Sequence, residues 1–138
     1  MEAKTVIRLQ DVDMLESPDG VMRDSVFVDA STGARDMTAG IVWVAPGSRI
    51  HEDSHAFDEV YYVIRGEADV VVEDVPHRMR EGDVVLIQTG RRHHVHNPTD
   101  EVFAIFWCIA AGWETLSQIQ TELGTWPVID KTTGWHLS

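Results

Sequence analysis

The chain has 138 residues, a hydrophobic share of 43% and a formal net charge of −12. That length suits one compact domain with its own core, and so acidic a surface repels nucleic-acid phosphates and anionic membrane faces, so neither is expected as a partner. No apolar run approaches the ~20 residues needed to span a bilayer, the opening MEAKTVIRLQ lacks the apolar block of a secretory signal, and the single cysteine, Cys108, excludes an intrachain disulfide. A cytoplasmic protein is therefore expected, with Cys108 as a buried, inert thiol inside the apolar run VFAIFWCIA.

Short runs rich in Val, Ile, Tyr and Trp, punctuated by Gly, Pro and Asp, predict an all-β chain. In chain order, strands are expected near 21–29, 38–45, 60–64, 68–73, 84–88, 93–97 and 102–110. PDG at 18–20, STG at 31–33, PG at 46–47, RGE at 65–67 and REGD at 80–83 supply turns, and EDVP at 73–76 reads as a hairpin tip. Short strands at this spacing point to a sandwich or barrel. Beyond them, Trp113, Leu116, Ile119 and Leu123 form one apolar stripe, which predicts a short C-terminal helix over 113–123 that Gly124 can end. The tail with Trp126 and Trp135 is expected either to cover an open end of its own barrel or to cross to a second copy in a homodimer. One domain is expected over 1–138, with a barrel core at about 20–110 and the helix and tail at 111–138.

The chemistry concentrates in HEDSHAFDEVYYVIRG, residues 51–66, and GDVVLIQTGRRHHVHN, residues 82–97. Strand alternation puts 51, 53 and 55 on one face, and Glu59 stands at the mouth of the strand that follows. In the second stretch His93, Val95 and Asn97 share a face, so an inward Val95 brings His93 inward and leaves His94 and His96 facing out. A histidine and a carboxylate converging from neighbouring strands can form half of a metal site. Arg91 and Arg92 read as surface charge in a turn, although a guanidinium there could also grip a carboxylate.

These two stretches resemble the paired motifs of the cupin superfamily. The first motif runs glycine, five residues, histidine, any residue, histidine, three or four residues, glutamate, six residues, glycine; Gly47, His55, Glu59 and Gly66 fit it. The second runs glycine, five residues, proline, any residue, glycine, two residues, histidine, three residues, asparagine; Gly82, Gly90, His93 and Asn97 fit it. Gln88 replaces the proline, and Asp53 stands where the first motif has its leading histidine. The resemblance implies a single antiparallel β-barrel of the jelly-roll (double-stranded β-helix) type. It also implies one divalent transition metal on His55, Glu59, His93 and Asp53, with Asp53 either a fourth ligand or hydrogen-bonded to a metal-bound water. His51, four residues and roughly 13 Å along a strand from His55, is expected to stay outside the ligand set.

Two histidines and one carboxylate with open positions suit non-haem Fe(II) chemistry, and a second carboxylate from Asp53 would favour Fe(II) or Mn(II), with Zn or Ni possible. The reading this puts first is an Fe(II)-type oxygenase or dioxygenase acting on a small polar molecule. A redox-neutral isomerase, decarboxylase or lyase is the first alternative, and a non-catalytic small-ligand binding or sensor protein the second. The fold alone does not choose among them.

Overall fold

The computed structural model describes residues 4–112 and 126–131. Among these the regular elements are strands β1 (Met14–Glu16), β2 (Met22–Val28), β3 (Thr38–Val44), β4 (Glu59–Arg65), β5 (Glu67–Val72), β6 (Val75–Arg80), β7 (Val84–Ile87), β8 (His93–His96), β9 (Phe103–Ile109) and β10 (Val128–Ile129), with short 3₁₀ turns at Leu9–Asp11 and Ala30–Thr32. A seven-stranded sheet runs β10-β1-β2-β3-β9-β4-β7, and a three-stranded sheet runs β6-β5-β8. All pairings are antiparallel. The described residues are all-β, with the antiparallel two-sheet architecture expected of a jelly roll.

The inner faces follow from alternation. Glu59, Tyr61 and Val63 of β4 pair in register with Ile109, Trp107 and Ile105 of β9, and β9 in turn pairs with β3. The apolar ones, Tyr61, Val63, Ile105, Trp107 and Ile109, meet Ala68 and Val70 of β5 and Val95 of β8 in one core cluster, which includes Val44 and Phe103, both with no exposure. Each fully buried side chain of this size contributes roughly 1.5–3 kcal/mol. A smaller cluster of Met14, Trp43, Val102 and Ala104 closes the outer side of the large sheet.

Two turns set the strand registers. β4 passes to β5 through Gly66, at φ +79°, where a Cβ would lie 2.6 Å from the Val102 carbonyl oxygen. Glycine is required there for both conformation and space. The β5–β6 hairpin turns at Glu73 and Asp74, both with positive φ (49° and 66°), as a two-residue type I′ loop demands. The EDVP tip expected from the sequence is this turn.

Several strands lay outside the sequence expectation. β6 is exposed along nearly its whole length and contains Pro76, so it has no apolar alternation to betray it. β10 pairs with β1, as Met14↔Ile129 and Leu15↔Val128, so this part of the tail packs on its own barrel. The predicted helix at 113–123 lies outside the described residues. Cys108 is half-buried on the outward face of β9, less enclosed than its apolar run suggested. Burial still pushes its thiol up, which keeps it protonated and unreactive.

Candidate metal centre

Three elements position the candidate ligands. β4 opens with Glu59, β8 opens with His93, and His55 lies on the connection between β3 and β4. That connection is not the regular strand that alternation assumed. It is fastened along β8 by two isolated bridges, Arg49↔His96 and Asp53↔His93. Four steps of the connection thus oppose three of β8, the extra residue of a bulge. His51, Asp53 and His55 nevertheless all border the same cavity. The Gly90 amide donates to the His55 carbonyl at 2.7 Å, tying the two motif segments together.

One ligand-bearing atom from each of His55, Glu59 and His93 lies within 4.8 Å of the other two. His93 Nδ1 is 2.9 Å from the Arg91 carbonyl oxygen. A carbonyl only accepts, so Nδ1 carries the proton and Nε2 is left as the ligand atom, the orientation by a main-chain carbonyl that metal-binding histidines commonly show. His93 Nε2 is 3.3 Å from Glu59 Oε1. Burial draws the His93 pKa down, but the Glu59 carboxylate and the Arg91 carbonyl outweigh it and the net shift is upward. Glu59 is only 7% exposed, and its Oε1 is buried without a hydrogen-bond partner. An orphaned buried carboxylate oxygen facing two imidazoles is the arrangement a divalent cation would complete. His55 is held by stacking on Phe57, with ring centroids 4.8 Å apart and planes 8° from parallel.

Asp53 does not belong to the converging set. Its carboxylate lies beside it, with Oδ2 3.7 Å from His55 Nε2 and Oδ1 accepting from the Ser54 amide at 2.8 Å. His51 is exposed and sits where the cavity meets a neighbouring depression lined by Ser17, Asp19 and Arg49. His94 corrects the alternation reading. It is half-buried and borders the cavity, because the connection carrying Asp53 wraps over β8, and its Nδ1 is 4.0 Å from Glu52. Arg92 is committed to surface acids, 2.9 Å from Asp74, 3.1 Å from Glu73 and 3.4 Å from Glu52, so the charge-balancing reading holds for it.

The cavity beside the ligands measures about 140 Å³ and has apolar walls from Val42, Ile50, Phe57 and Ile109, with Trp107 and Trp126. This is small against ligand pockets of about 300–1,000 Å³ and suits a molecule of few heavy atoms. Tyr61 also lines it. Burial, and then the Glu59 charge, hold its hydroxyl well above the ordinary tyrosine range, so it stays a donor. Asp24 of β2 is a further carboxyl on the wall, one that motif reasoning passed over.

Two facing antiparallel sheets with a two-histidine, one-carboxylate cluster between them, a candidate metal site, have the architecture of a small jelly-roll β-barrel. The chain belongs to the cupin family: the family model described as "Cupin domain" matches residues 40–109. Protein SchB of Streptomyces halstedii is 35% identical over 77 residues, covering 55% of this chain and 56% of that protein. Dimethylsulfoniopropionate lyase DddW of Ruegeria pomeroyi is 29% identical over 75 residues, covering 54% and 49%. The aligned part spans about half the length of each of these two relatives. Among solved structures, a "predicted oxalate decarboxylase" from Thermotoga maritima has a TM-score of 0.71 at 17% identity, covering 78% of this chain and 99% of that one. A Cupin 2 conserved barrel domain protein from Salinispora arenicola has a TM-score of 0.62 at 25% identity, covering 88% and 98%.

Proposed function

We propose that this cupin is a metal-dependent enzyme that holds one divalent cation on His55, Glu59 and His93 and acts on a small polar organic molecule in the adjoining cavity. The observation that carries the reading is the buried, unpartnered Glu59 Oε1 beside two imidazoles whose ligand atoms converge on it. A divalent cation held there would polarise a carbonyl, carboxylate or enediol oxygen. The chain's own residues do the rest. The Arg91 carbonyl fixes the His93 tautomer, Phe57 holds the His55 ring, and the apolar wall of Val42, Ile50 and Ile109 keeps the reacting centre out of bulk water.

We place a redox-neutral reaction, an elimination, decarboxylation or isomerisation, ahead of oxygen chemistry. The sequence match to a protein named as a lyase supports that order. The Fe(II)-type oxygenase reading uses the same two histidines and one carboxylate and is the second reading. An oxygen electrode separates the two. Protein reconstituted with Fe(II) and offered a panel of small 2-oxo, hydroxy and thioether acids should convert one of them without consuming dioxygen. Stoichiometric oxygen uptake would reverse the order, and tight binding with no turnover would move the protein to the sensor class.

A further inference from the structure

The cavity contains a carboxyl that the metal ligands do not use. Asp24 stands in step with Met22 and Val26 on the inner face of β2 and lines the same cavity as His55, Glu59 and His93. β3 and β9 separate β2 from the strand of Glu59, so three strand spacings divide the two walls. By register Asp24 shares a rung with Val42, Ile105 and Val63, four residues along β4 from Glu59, so the two carboxyls border one cavity from different walls rather than as neighbours along the sheet.

Asp24 is held by a purpose-shaped contact. Its Oδ1 accepts the Trp107 indole N–H at 3.1 Å. Trp107 is on β9, and its ring crosses the intervening β3 over Gly40. A Cβ at Gly40 would lie 2.9 Å from Trp107 Cζ2 and 2.4 Å from the Ser25 carbonyl oxygen. Glycine in the middle of a strand weakens it by removing a packing side chain, and here its absence of a side chain is what lets the indole reach the acid. The donor is neutral, so the contact orients the carboxyl without pinning it as an anion. The neighbouring Arg23 bonds instead to Glu16 at 2.8 Å. β3 brings no charged side chain to the pair. The titratable groups that share the cavity are Asp53, Glu59 and Tyr61 and the histidines 51, 55, 93 and 94.

We infer that Asp24 is the general acid–base group of this cavity, exchanging a proton with a small substrate held at the His55–Glu59–His93 set. The inference rests on the metal-dependent reading above. The substrate class is a small acid or ketone with a C–H bond beside a carbonyl or carboxylate. In the forward step that C–H bond breaks, its proton passes to an Asp24 oxygen, and its electron pair forms a new C=C bond. The carbonyl oxygen takes the charge in an isomerisation, or a leaving group departs with its bonding pair in an elimination. The proton then returns from Asp24 to product or solvent. Burial supports the role by pushing the carboxyl up to about 7; the Trp107 bond tempers the rise and the Glu59 charge adds to it. A group poised near neutrality suits both directions of transfer.

The test has two arms. In metal-free protein labelled at the aspartate carboxyl carbons, the Asp24 resonance followed by NMR should titrate with a midpoint about 7. Trp107→Phe, which removes the lowering bond, should move that midpoint higher. A midpoint in the ordinary carboxylate range overturns the inference. In Zn(II)-loaded protein in D2O, deuterium wash-in to a panel of small 2-oxo and 3-hydroxy acids should be about 10²–10⁴-fold slower in Asp24→Asn, with Zn(II) affinity unchanged. Equal wash-in in parent and variant, or none in the parent, overturns the role. Failure of the metal reading is distinguishable, because it appears as absence of zinc from the parent by elemental analysis while the first arm still reads Asp24 alone.

Discussion

Asp53 and His93 exchange both main-chain hydrogen bonds, Asp53 N–H to His93 O at 2.9 Å and His93 N–H to Asp53 O at 2.8 Å. The residue in place of the motif's leading histidine is therefore clamped to a candidate metal ligand through backbone alone, and its side chain is free to differ. Asp53→Ala should keep the clamp and lose the carboxylate 3.7 Å from His55 Nε2. We predict that it weakens metal binding by about 10–100-fold, the range for groups that orient or supplement direct ligands. His51→Ala should stay within about twofold of the parent. Titration of both variants with Mn(II) checks this, and the reverse order would show that the bulged connection delivers His51 to the ion.

Glu59 trades stability for site chemistry. Its buried Oε1 lacks a hydrogen bond of good geometry, and the 3.3 Å approach to His93 Nε2 offsets only part of its desolvation in the metal-free protein. Glu59→Gln should raise the metal-free melting temperature, by about 1 kcal/mol in stability, while lowering metal affinity sharply. Thermal melts with and without metal check both halves. A variant less stable than the metal-free parent would mean that Glu59 has structural work the cavity does not reveal.

Asp24 imposes a pH dependence of known sign. Its folded-state pKa is raised from the ordinary 3.8 to about 7, so the folded protein binds the proton more tightly than the unfolded chain. Stability from this group is full below pH 4 and declines as pH rises towards 7. The upper bound of the loss is about 4 kcal/mol. Asp24→Asn should flatten that part of the curve and exceed the parent in stability at pH 8. Denaturant midpoints measured between pH 4 and pH 8 would show it, and parallel curves for parent and variant would contradict it.

Asn97 has a purely structural assignment. It has no exposure; its Nδ2 donates to the carbonyls of Val44, Ala45 and Glu101 at 3.3, 3.2 and 2.7 Å, and its Oδ1 accepts from the Thr99 amide and hydroxyl at 3.1 and 2.7 Å. Asn97→Ala removes all of these bonds from a fully buried position and should cost on the order of 3 kcal/mol. Metal affinity measured on the folded fraction should be nearly unchanged.

The strands were legible because their turns have chemical causes. Gly66 and the Glu73–Asp74 pair sit where positive φ is required, and the inward rows of β4 and β9 alternate cleanly. β6 was hidden because an exposed edge strand needs no apolar pattern, and β1, at three residues, is too short for periodicity to register. The grouping of His55, Glu59 and His93 was legible through motif spacing, while the alternation argument for residues 51–55 assumed a strand that bridges at Arg49 and Asp53 replace. Asp24 carried one readable signal, an acid in phase with Met22 and Val26 in a strand. Its indole partner is 83 residues away and could not be read from sequence.

The most direct measurement is metal stoichiometry. Purified protein reconstituted with Fe(II), Mn(II) or Zn(II), washed free of excess and assayed by elemental analysis, should retain one equivalent per chain. His93→Ala should retain at least about 100-fold less at the same free metal concentration, beyond the loss expected for a group that only orients a ligand. A parent that retains no metal, or a His93→Ala variant that retains as much as the parent, would contradict the assignment of His55, Glu59 and His93 as a metal centre.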